Sequence, residues 1–215
     1  MKQFIVIGCG RFGGSVAKTL VKLGHDVLAV DKDEATIQEL SDHVTHAVQA
    51  SGTDANALHS LGIKNFDVAV ISVATDIETS IMATLIAKEA GIDYIIAKAQ
   101  SDLHAKVLYK IGADRVVFPE REMGERVAHN IVAHNILDYI ELSQEYSIIE
   151  LESPKDWIDK DLAALDLRAK FGINVLAIKG GDEINITPNA EDIVNKDDVL
   201  VVIGHKKDLR KIQGL

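Results

Sequence analysis

Apolar runs and helix-like stretches alternate along the first 118 residues of the chain. Six short runs rich in β-branched residues predict strands at residues 4–8, 26–31, 45–50, 68–74, 94–99 and 115–119. Between them, apolar residues recur three or four positions apart, and several of these stretches end at a glycine, as helices do. This alternation predicts an α/β fold over residues 1–119: a Rossmann-like, doubly wound domain with a six-stranded parallel sheet.

The pattern changes after the sixth strand. Residues 120–141 carry apolar residues at helical spacing and predict one long helix, with a break near His134 and Asn135. The helix has more apolar positions than one sheet domain needs, so it packs either on another subunit or back on its own chain. We assign residues 120–144 to a crossover helix and dimerisation segment.

A second module follows at residues 145–215. Strands are expected at 147–152 and 198–204, and a hairpin at 174–187 turns at Gly180 and Gly181. Helices are expected at 162–172, where Gly172 ends the pattern, and at 206–212. About seventy residues of this kind predict a small C-terminal α+β domain.

A glycine-rich turn joins the first strand to the first helix. Gly8, Gly10 and Gly13 form G-x-G-x-x-G, in which glycines permit a tight turn, close approach to a pyrophosphate and close helix packing. Asp31 ends the second strand, eighteen residues after Gly13, where a carboxylate accepts hydrogen bonds from ribose hydroxyls and repels a 2′-phosphate. The pattern predicts binding of NAD, ADP or ATP rather than NADP; the alternative is a Rossmann-like domain whose site has degenerated.

Two residues inside the turn need separate interpretation. Arg11 stands where hydride-transfer enzymes usually carry a small or apolar residue, and its guanidinium is suited to pair with a phosphate beyond the β position. The alternative is a solvated surface arginine. Cys9 is either a small packing residue, the interpretation we favour, or a redox sensor.

Composition narrows the function classes. The net charge of −10 argues against a nucleic-acid partner, while leaving a small phosphate ligand open. The chain has one cysteine, which excludes an internal disulfide, and no apolar run of eighteen residues, so a cytoplasmic protein is expected. None of its eight histidines lies in a recognisable catalytic context. A small NAD-dependent oxidoreductase and a redox-responsive transcription factor remain as competing classes.

Several longer motifs resemble one known family. Four stretches are similar to the cytosolic regulatory subunits of Ktr/Trk potassium uptake systems, the RCK or KTN proteins, and above all to their Ktr branch. These stretches are IGCGRFGGSVAKTL, HAVQASGTD, KAQSDLHAKVLYKIGADRVVFPEREMG and LDLRAKFGINVLAIK. The resemblance implies a nucleotide-sensing, non-enzymatic subunit whose dimers assemble into an octameric ring. The ring lies under a Ktr-type potassium-translocating membrane subunit, peripheral on the cytoplasmic face. It implies that ATP favours the active ring and ADP the inactive one, and that NAD(H) can occupy the same cleft.

The resemblance also implies the ligand-binding residues. Arg11 meets the terminal phosphate of ATP, and Glu120 lies near the phosphates at the dimer interface, where it binds Mg²⁺ or Ca²⁺. The expected nucleotide-binding residues are Gly8, Gly10, Arg11, Phe12, Gly13, Asp31, Lys32, Asp33, Ser51, Gly52, Val73, Ala74, Thr75, Lys98, Ala99, Gln100, His104 and Glu120. The chain departs from its relatives at Cys9, where leucine is usual, and in the side chains around Ser51 and Val73.

A second ligand is implied for the C-terminal domain. Relatives bind cyclic di-AMP at the dimer interface of that domain, and the matching residues are Asp166, Arg168, Asn174 and Pro188. Arg168 either pairs with a phosphate of this ligand, or caps or forms a salt bridge with the helix that holds it.

Overall fold

The computed structural model describes residues 1–73, 76–132, 136–181 and 183–212. It divides into two compact units, Met1–Pro119 and Glu120–Leu215. The division into a nucleotide-binding domain, a dimerisation segment and a C-terminal domain is a functional statement and stays a prediction.

The first unit is a parallel sheet with helices between its strands. Its strands are β1 (Gln3–Ile7), β2 (Asp26–Asp31), β3 (His46–Gln49), β4 (Val68–Ile71), β5 (Tyr94–Lys98) and β6 (Arg115–Val117). Its helices are α1 (Arg11–Lys22), α2 (Glu34–Ser41), α3 (Ala55–Ser60), α4 (Ile77–Glu89) and α5 (Asp102–Lys110). The strand order β3-β2-β1-β4-β5-β6 and the parallel pairings confirm the predicted doubly wound, Rossmann-like fold.

Both faces of this sheet are buried. Along β1, Ile5 and Ile7 point into one apolar cluster while Val6 points into the other, and all three are at most 1% exposed. Since a strand buried on both faces has no polar side, the unbroken apolar runs in the sequence are explained. The strand order reverses between β1 and β4, so a crevice opens at the carboxyl ends of these two strands.

The second unit is built on an antiparallel sheet, which confirms the small α+β domain. Its strands are β7 (Ile136–Glu141), β8 (Tyr146–Glu152), β9 (Lys160–Asp161), β10 (Ile173–Gly180), β11 (Glu183–Asn185), β12 (Ile193–Val194) and β13 (Val199–His205). Its helices are α6 (Pro119–Val132), α7 (Leu162–Leu165), α8 (Leu167–Phe171) and α9 (Lys206–Ile212). Five strands form one sheet in the order β11-β10-β13-β8-β7, and β9 pairs with β12.

The long helix predicted over residues 120–141 is wrong in its second half. Helix α6 ends at Val132, and β7 begins at Ile136; the break expected at His134 and Asn135 lies outside the described residues. Strand β7 pairs with the edge of β8, for instance Ile140 opposite Ile148. This pairing satisfies an edge that would otherwise be exposed, and tertiary context therefore overrides the helical spacing.

The single helix predicted over 162–172 is also wrong. It is divided into α7 and α8 by Asp166, whose backbone adopts the left-handed conformation with φ 44°. Leu165 and Leu167 are both 5% exposed. Residues two apart do not share a helical face, so burying both leucines requires a break between them.

Candidate functional site

Two of the three motif glycines are required by packing. Gly8 has φ 88°, and a Cβ atom there would lie 2.8 Å from backbone atoms of Ser72 and Val73. A Cβ at Gly13 would lie 2.0 Å from the carbonyl oxygen of Gly8, so helix α1 approaches strand β1 only because this position has no side chain.

Gly10 differs from both. A Cβ at this position would meet no atom of the described chain within 4 Å, and its backbone is extended, with φ −62° and ψ −163°. Neither packing nor backbone conformation therefore requires glycine here. The open space above Gly10 is where a bound molecule can approach the main chain closely.

Helix α1 begins at this open position without a capping side chain. Gly10 is its N-cap residue, and its first turn holds no acidic residue. The starts of the next four helices are capped by side chains, and the capping residues are Asp33, Asp54, Asp76 and Ser101. The positive end of the α1 dipole is therefore uncompensated, which favours an anion such as phosphate.

Asp31 connects the end of β2 to the glycine turn. One carboxylate oxygen, Oδ2, accepts a hydrogen bond of 2.6 Å from the Cys9 backbone amide, and Oδ1 accepts one of 3.0 Å from the Asp33 amide. Burial raises the pKa of the Cys9 thiol to about 12, and the negative charge of Asp31 adds to this shift. A thiol with such a pKa is unreactive at neutral pH, which supports the interpretation of Cys9 as a packing residue.

The glycine turn and the adjacent strand ends enclose a cleft of about 190 Å³. Seven of the residues proposed from the sequence line it together: Gly8, Gly10, Asp31, Lys32, Ser51, Gly52 and Val73. Six further lining residues were not singled out in the sequence: Ile7, Val30, Ala50, Ser72, Asp76 and Thr79. Ala74 and Thr75 lie outside the described residues.

Asp76 and Thr79, at the start of α4, also line this cleft. The Thr79 hydroxyl donates a 2.6 Å hydrogen bond to one oxygen of Asp76, and the Glu78 and Thr79 amides donate to the other. These bonds, above all that from the Thr79 hydroxyl, lower the pKa of the Asp76 carboxyl, and the positive charge of Lys32 contributes. The signal for this cap was present in the sequence as Asp-x-x-Thr before a helical stretch.

The remaining residues proposed around the glycine turn do not line the cleft. Arg11 is exposed and lines a separate polar groove beside α1 and α2, which shares Gly10 with the cleft. Phe12 is half-buried on α1, and Gly13 is buried against the glycine turn. Asp33 caps α2 through the Ala35 and Thr36 amides.

The residues proposed after β5 are mostly buried and are not among those lining the cleft. Lys98 is 6%, Ala99 3% and His104 3% exposed, whereas Gln100 is exposed. Burial lowers the pKa of His104, and within the described part of the chain its Nε2 atom has no hydrogen-bond partner. Glu120, the proposed cation ligand, lies in the first turn of α6 in the second unit.

A second, shallower pocket lies in the C-terminal unit. Three of the four residues proposed for a second ligand line it: Asp166, Arg168 and Asn174. Pro188 is not among its lining residues. The left-handed turn at Asp166 ends α7 and starts α8, which carries Arg168, and Asn174 follows on β10.

The described residues contain neither a metal-binding cluster nor a membrane-spanning helix. No group of three or more histidine, cysteine, aspartate or glutamate side chains there is arranged to bind a metal ion. No helix among those residues combines the length and the apolar character that crossing a bilayer requires.

Comparison with known proteins gives matches over both units. Residues 4–119 match the family model for the TrkA-N domain, and residues 146–215 match that for the TrkA-C domain. The chain is 46% identical to the Ktr system potassium uptake proteins C and A of Bacillus subtilis (strain 168), with 99% of this chain and 96% of each relative covered. A crystal structure of GsuK bound to ADP superposes with a TM-score of 0.53 at 25% identity, covering 62% of this chain and 34% of that chain.

Proposed function

This chain belongs to the TrkA-N/TrkA-C family, the RCK regulatory subunits of Ktr and Trk potassium uptake systems, and we propose that it senses adenine nucleotides and gates the membrane subunit of a Ktr-type system. It acts by ligand-dependent change of shape rather than by catalysis. A dehydrogenase of the same fold would change nicotinamide absorbance in the presence of a substrate, and we expect no such change here.

The open space at Gly10 supports the nucleotide site most directly. Gly8 and Gly13 are explained by the chain's own packing, whereas no described atom requires glycine at position 10, and a molecule that approaches its backbone would. That molecule meets the uncapped start of α1 at one end and the carboxylate of Asp31 at the other. Phosphates at the first and ribose hydroxyls at the second fit ADP, ATP or NAD(H), and the ADP complex of GsuK agrees with this choice.

Discrimination between ATP and ADP requires a group that contacts only the terminal phosphate. Ligands shift a conformational equilibrium only by their differential affinity for its two states, and a change from 1:99 to 99:1 needs about 5.5 kcal/mol. One charged hydrogen-bonding pair contributes ~1.5–3 kcal/mol. Because Arg11 is exposed and lies outside the cleft, we propose that it meets the γ-phosphate bound by a neighbouring protomer. Repetition around an oligomer supplies the remaining free energy.

The proposed assembly is a homodimer that forms an octameric ring. In it, Glu120 holds Mg²⁺ or Ca²⁺ near the phosphates, and the ring binds a potassium-translocating subunit at the cytoplasmic face of the membrane. ATP favours the activating shape of the ring and ADP the inactivating one. The apolar residues Met123, Val127 and Ile131 support the dimerisation segment, because they recur four apart on α6 and are 54%, 47% and 73% exposed.

The test compares Arg11→Ala with Lys22→Ala, a matched change in the same helix and the same polar groove. Titration calorimetry with ATP and ADP gives the affinity ratio for each variant. We expect Arg11→Ala to reduce the preference for ATP by about 10- to 100-fold while ADP affinity stays near that of the wild type. Lys22→Ala leaves the ratio unchanged.

Light scattering of the same samples tests the proposed assembly. Wild-type protein is expected as an octamer with either nucleotide, and a difference in hydrodynamic radius between ATP and ADP reports the two shapes. An unaltered ATP preference in Arg11→Ala would remove Arg11 from the discrimination. A wild-type monomer that binds no adenine nucleotide would refute the proposal as a whole.

We further propose cyclic di-AMP as a ligand of the C-terminal pocket, where it inhibits the active state. Asp166, Arg168 and Asn174 line this pocket together, so a guanidinium for a phosphate and two polar groups for a base share one surface. Arg168→Ala should abolish calorimetric binding of cyclic di-AMP. Lys170→Ala, on the same short helix but outside the pocket, should preserve it. Equal binding by both variants would contradict the assignment.

A further inference from the structure

Asp31 is bonded to the main chain on both of its carboxylate oxygens. Oδ2 lies 2.6 Å from the Cys9 amide nitrogen in the glycine turn, and Oδ1 lies 3.0 Å from the Asp33 amide nitrogen after β2. Charge-assisted hydrogen bonds of this length are among the stronger ones in proteins. The carboxylate therefore ties two neighbouring turns together before any ligand is bound.

The other hydrogen bonds of the glycine turn to β2 are to Val30, the residue before Asp31. The Gly8 amide donates to the Val30 carbonyl oxygen at 2.9 Å, and the Cys9 thiol contacts the same oxygen at 3.5 Å. Beyond Cys9 the turn continues to Gly10, which no side chain supports, and to the uncapped start of α1. Asp31 is thus the last attachment of the turn to β2 before the atoms that face the phosphates.

We infer that Asp31 is a positioning residue for phosphate binding, because its carboxylate holds the Cys9 amide and so fixes the glycine turn in the shape that receives phosphates. The inference rests on the proposed nucleotide site and adds to the expected contact between Asp31 and ribose. A carboxylate has about four lone-pair directions, so two backbone donors leave room for ribose hydroxyls. One side chain then serves both halves of the nucleotide.

Tripolyphosphate separates this role from the ribose contact, since it carries phosphates and no ribose. Loss of a negative charge beside the cleft should strengthen the binding of this anion if charge alone matters. Loss of the bond to the turn should weaken it. The two interpretations therefore predict opposite signs for Asp31→Ala.

The experiment measures tripolyphosphate affinity by calorimetry for wild type, Asp31→Ala, Asp31→Asn and the matched variant Asp76→Ala. Asp76 is the other carboxylate of the cleft, and its side chain accepts hydrogen bonds from the start of its own helix. We expect Asp31→Ala to weaken binding about 5- to 30-fold and Asp76→Ala to strengthen it about 2- to 5-fold. Asp31→Asn, which keeps one acceptor oxygen, should fall between wild type and Asp31→Ala.

Hydrogen–deuterium exchange in the ligand-free protein gives an independent measurement. We expect amide exchange at Gly8 and Cys9, whose amides donate to Val30 and Asp31, to rise at least about 10-fold in Asp31→Ala and to stay at the wild-type rate in Asp76→Ala. Unchanged exchange in Asp31→Ala, or stronger tripolyphosphate binding by both alanine variants, would overturn the inference. Failure of the wild type to bind ATP would instead refute the nucleotide site, while the exchange result would still decide whether Asp31 holds the turn.

Discussion

Helices α1 and α4 begin at the same edge of the parallel sheet, after the paired strands β1 and β4, yet their first turns are built differently. Both contribute to one cleft, α1 through its N-cap residue Gly10 and α4 through Asp76 and Thr79. At α4 the Asp76 carboxylate accepts bonds from two backbone amides and a hydroxyl. At α1 no side chain takes that place.

This difference favours the α1 start over the α4 start as the phosphate position of the proposed nucleotide site. Each helix start carries a partial positive charge, but at α4 that charge is already compensated by the chain's own carboxylate. Hydrogen bonding lowers the pKa of Asp76, so the group is ionised at neutral pH and repels a second anion. Only the α1 start remains available, and the orientation of a nucleotide in the cleft follows from this asymmetry.

The largest effect on stability is expected at Gly13, on the α1 side. Gly13→Ala places a methyl group 2.0 Å from the Gly8 carbonyl oxygen, so α1 must move away from β1. We expect a loss of about 3 kcal/mol or more in the free energy of unfolding, measured from the urea midpoint. A loss below about 1 kcal/mol would show that α1 does not depend on this close approach.

A smaller effect is expected from uncapping α4. Asp76→Ala should lower the melting temperature by about 3 °C at pH 7, because three hydrogen bonds at the helix start lose their acceptor. The folded-state pKa of Asp76 is depressed, so this stabilisation is present above the unfolded value near 3.9 and is lost as pH falls through the folded value. The difference between variant and wild type should therefore shrink below about pH 4. A difference that is constant down to pH 2 would exclude ionised Asp76 as its source.

The sequence predicts the first unit well because the patterns that define its strands, helices and turn lie within short segments of the chain. Runs of β-branched residues separated by glycine-ended helical stretches predict the six strands and the doubly wound parallel fold, and the glycine motif predicts the turn. The second unit depends more on distant contacts. Residues 136–141 become a strand because β8 offers an edge, and the break at Asp166 follows from burial of Leu165 and Leu167 together.

Prediction of the cleft from the sequence is limited in the same way, because part of it depends on distant contacts. Gly8, Gly10 and Asp31 follow from one motif and its spacing, and the structure brings them together. To predict Asp76 as a cleft residue, one must know that α4 starts at the same sheet edge as α1. The γ-phosphate contact that we propose for Arg11 involves a second protomer, which one chain's sequence pattern does not describe. The cleft residues at the α4 start were therefore missed, and the partner of Arg11 was left open.

The smallest effect on stability and a large effect on binding are expected together at Gly10. Gly10→Ala adds a methyl group that meets no described atom, in a backbone conformation open to alanine, so stability should stay within about 0.5 kcal/mol of wild type. The same methyl group occupies the space that we propose for phosphate, so ADP affinity should fall at least about 30-fold by calorimetry. Gly91→Ala adds a methyl group at another open position, before the amino end of β5 and outside the cleft, and should leave ADP affinity unaltered. If Gly10→Ala bound ADP as tightly as wild type, phosphate would not bind at the open start of α1. The difference between the α1 and α4 starts would then say nothing about where the nucleotide binds.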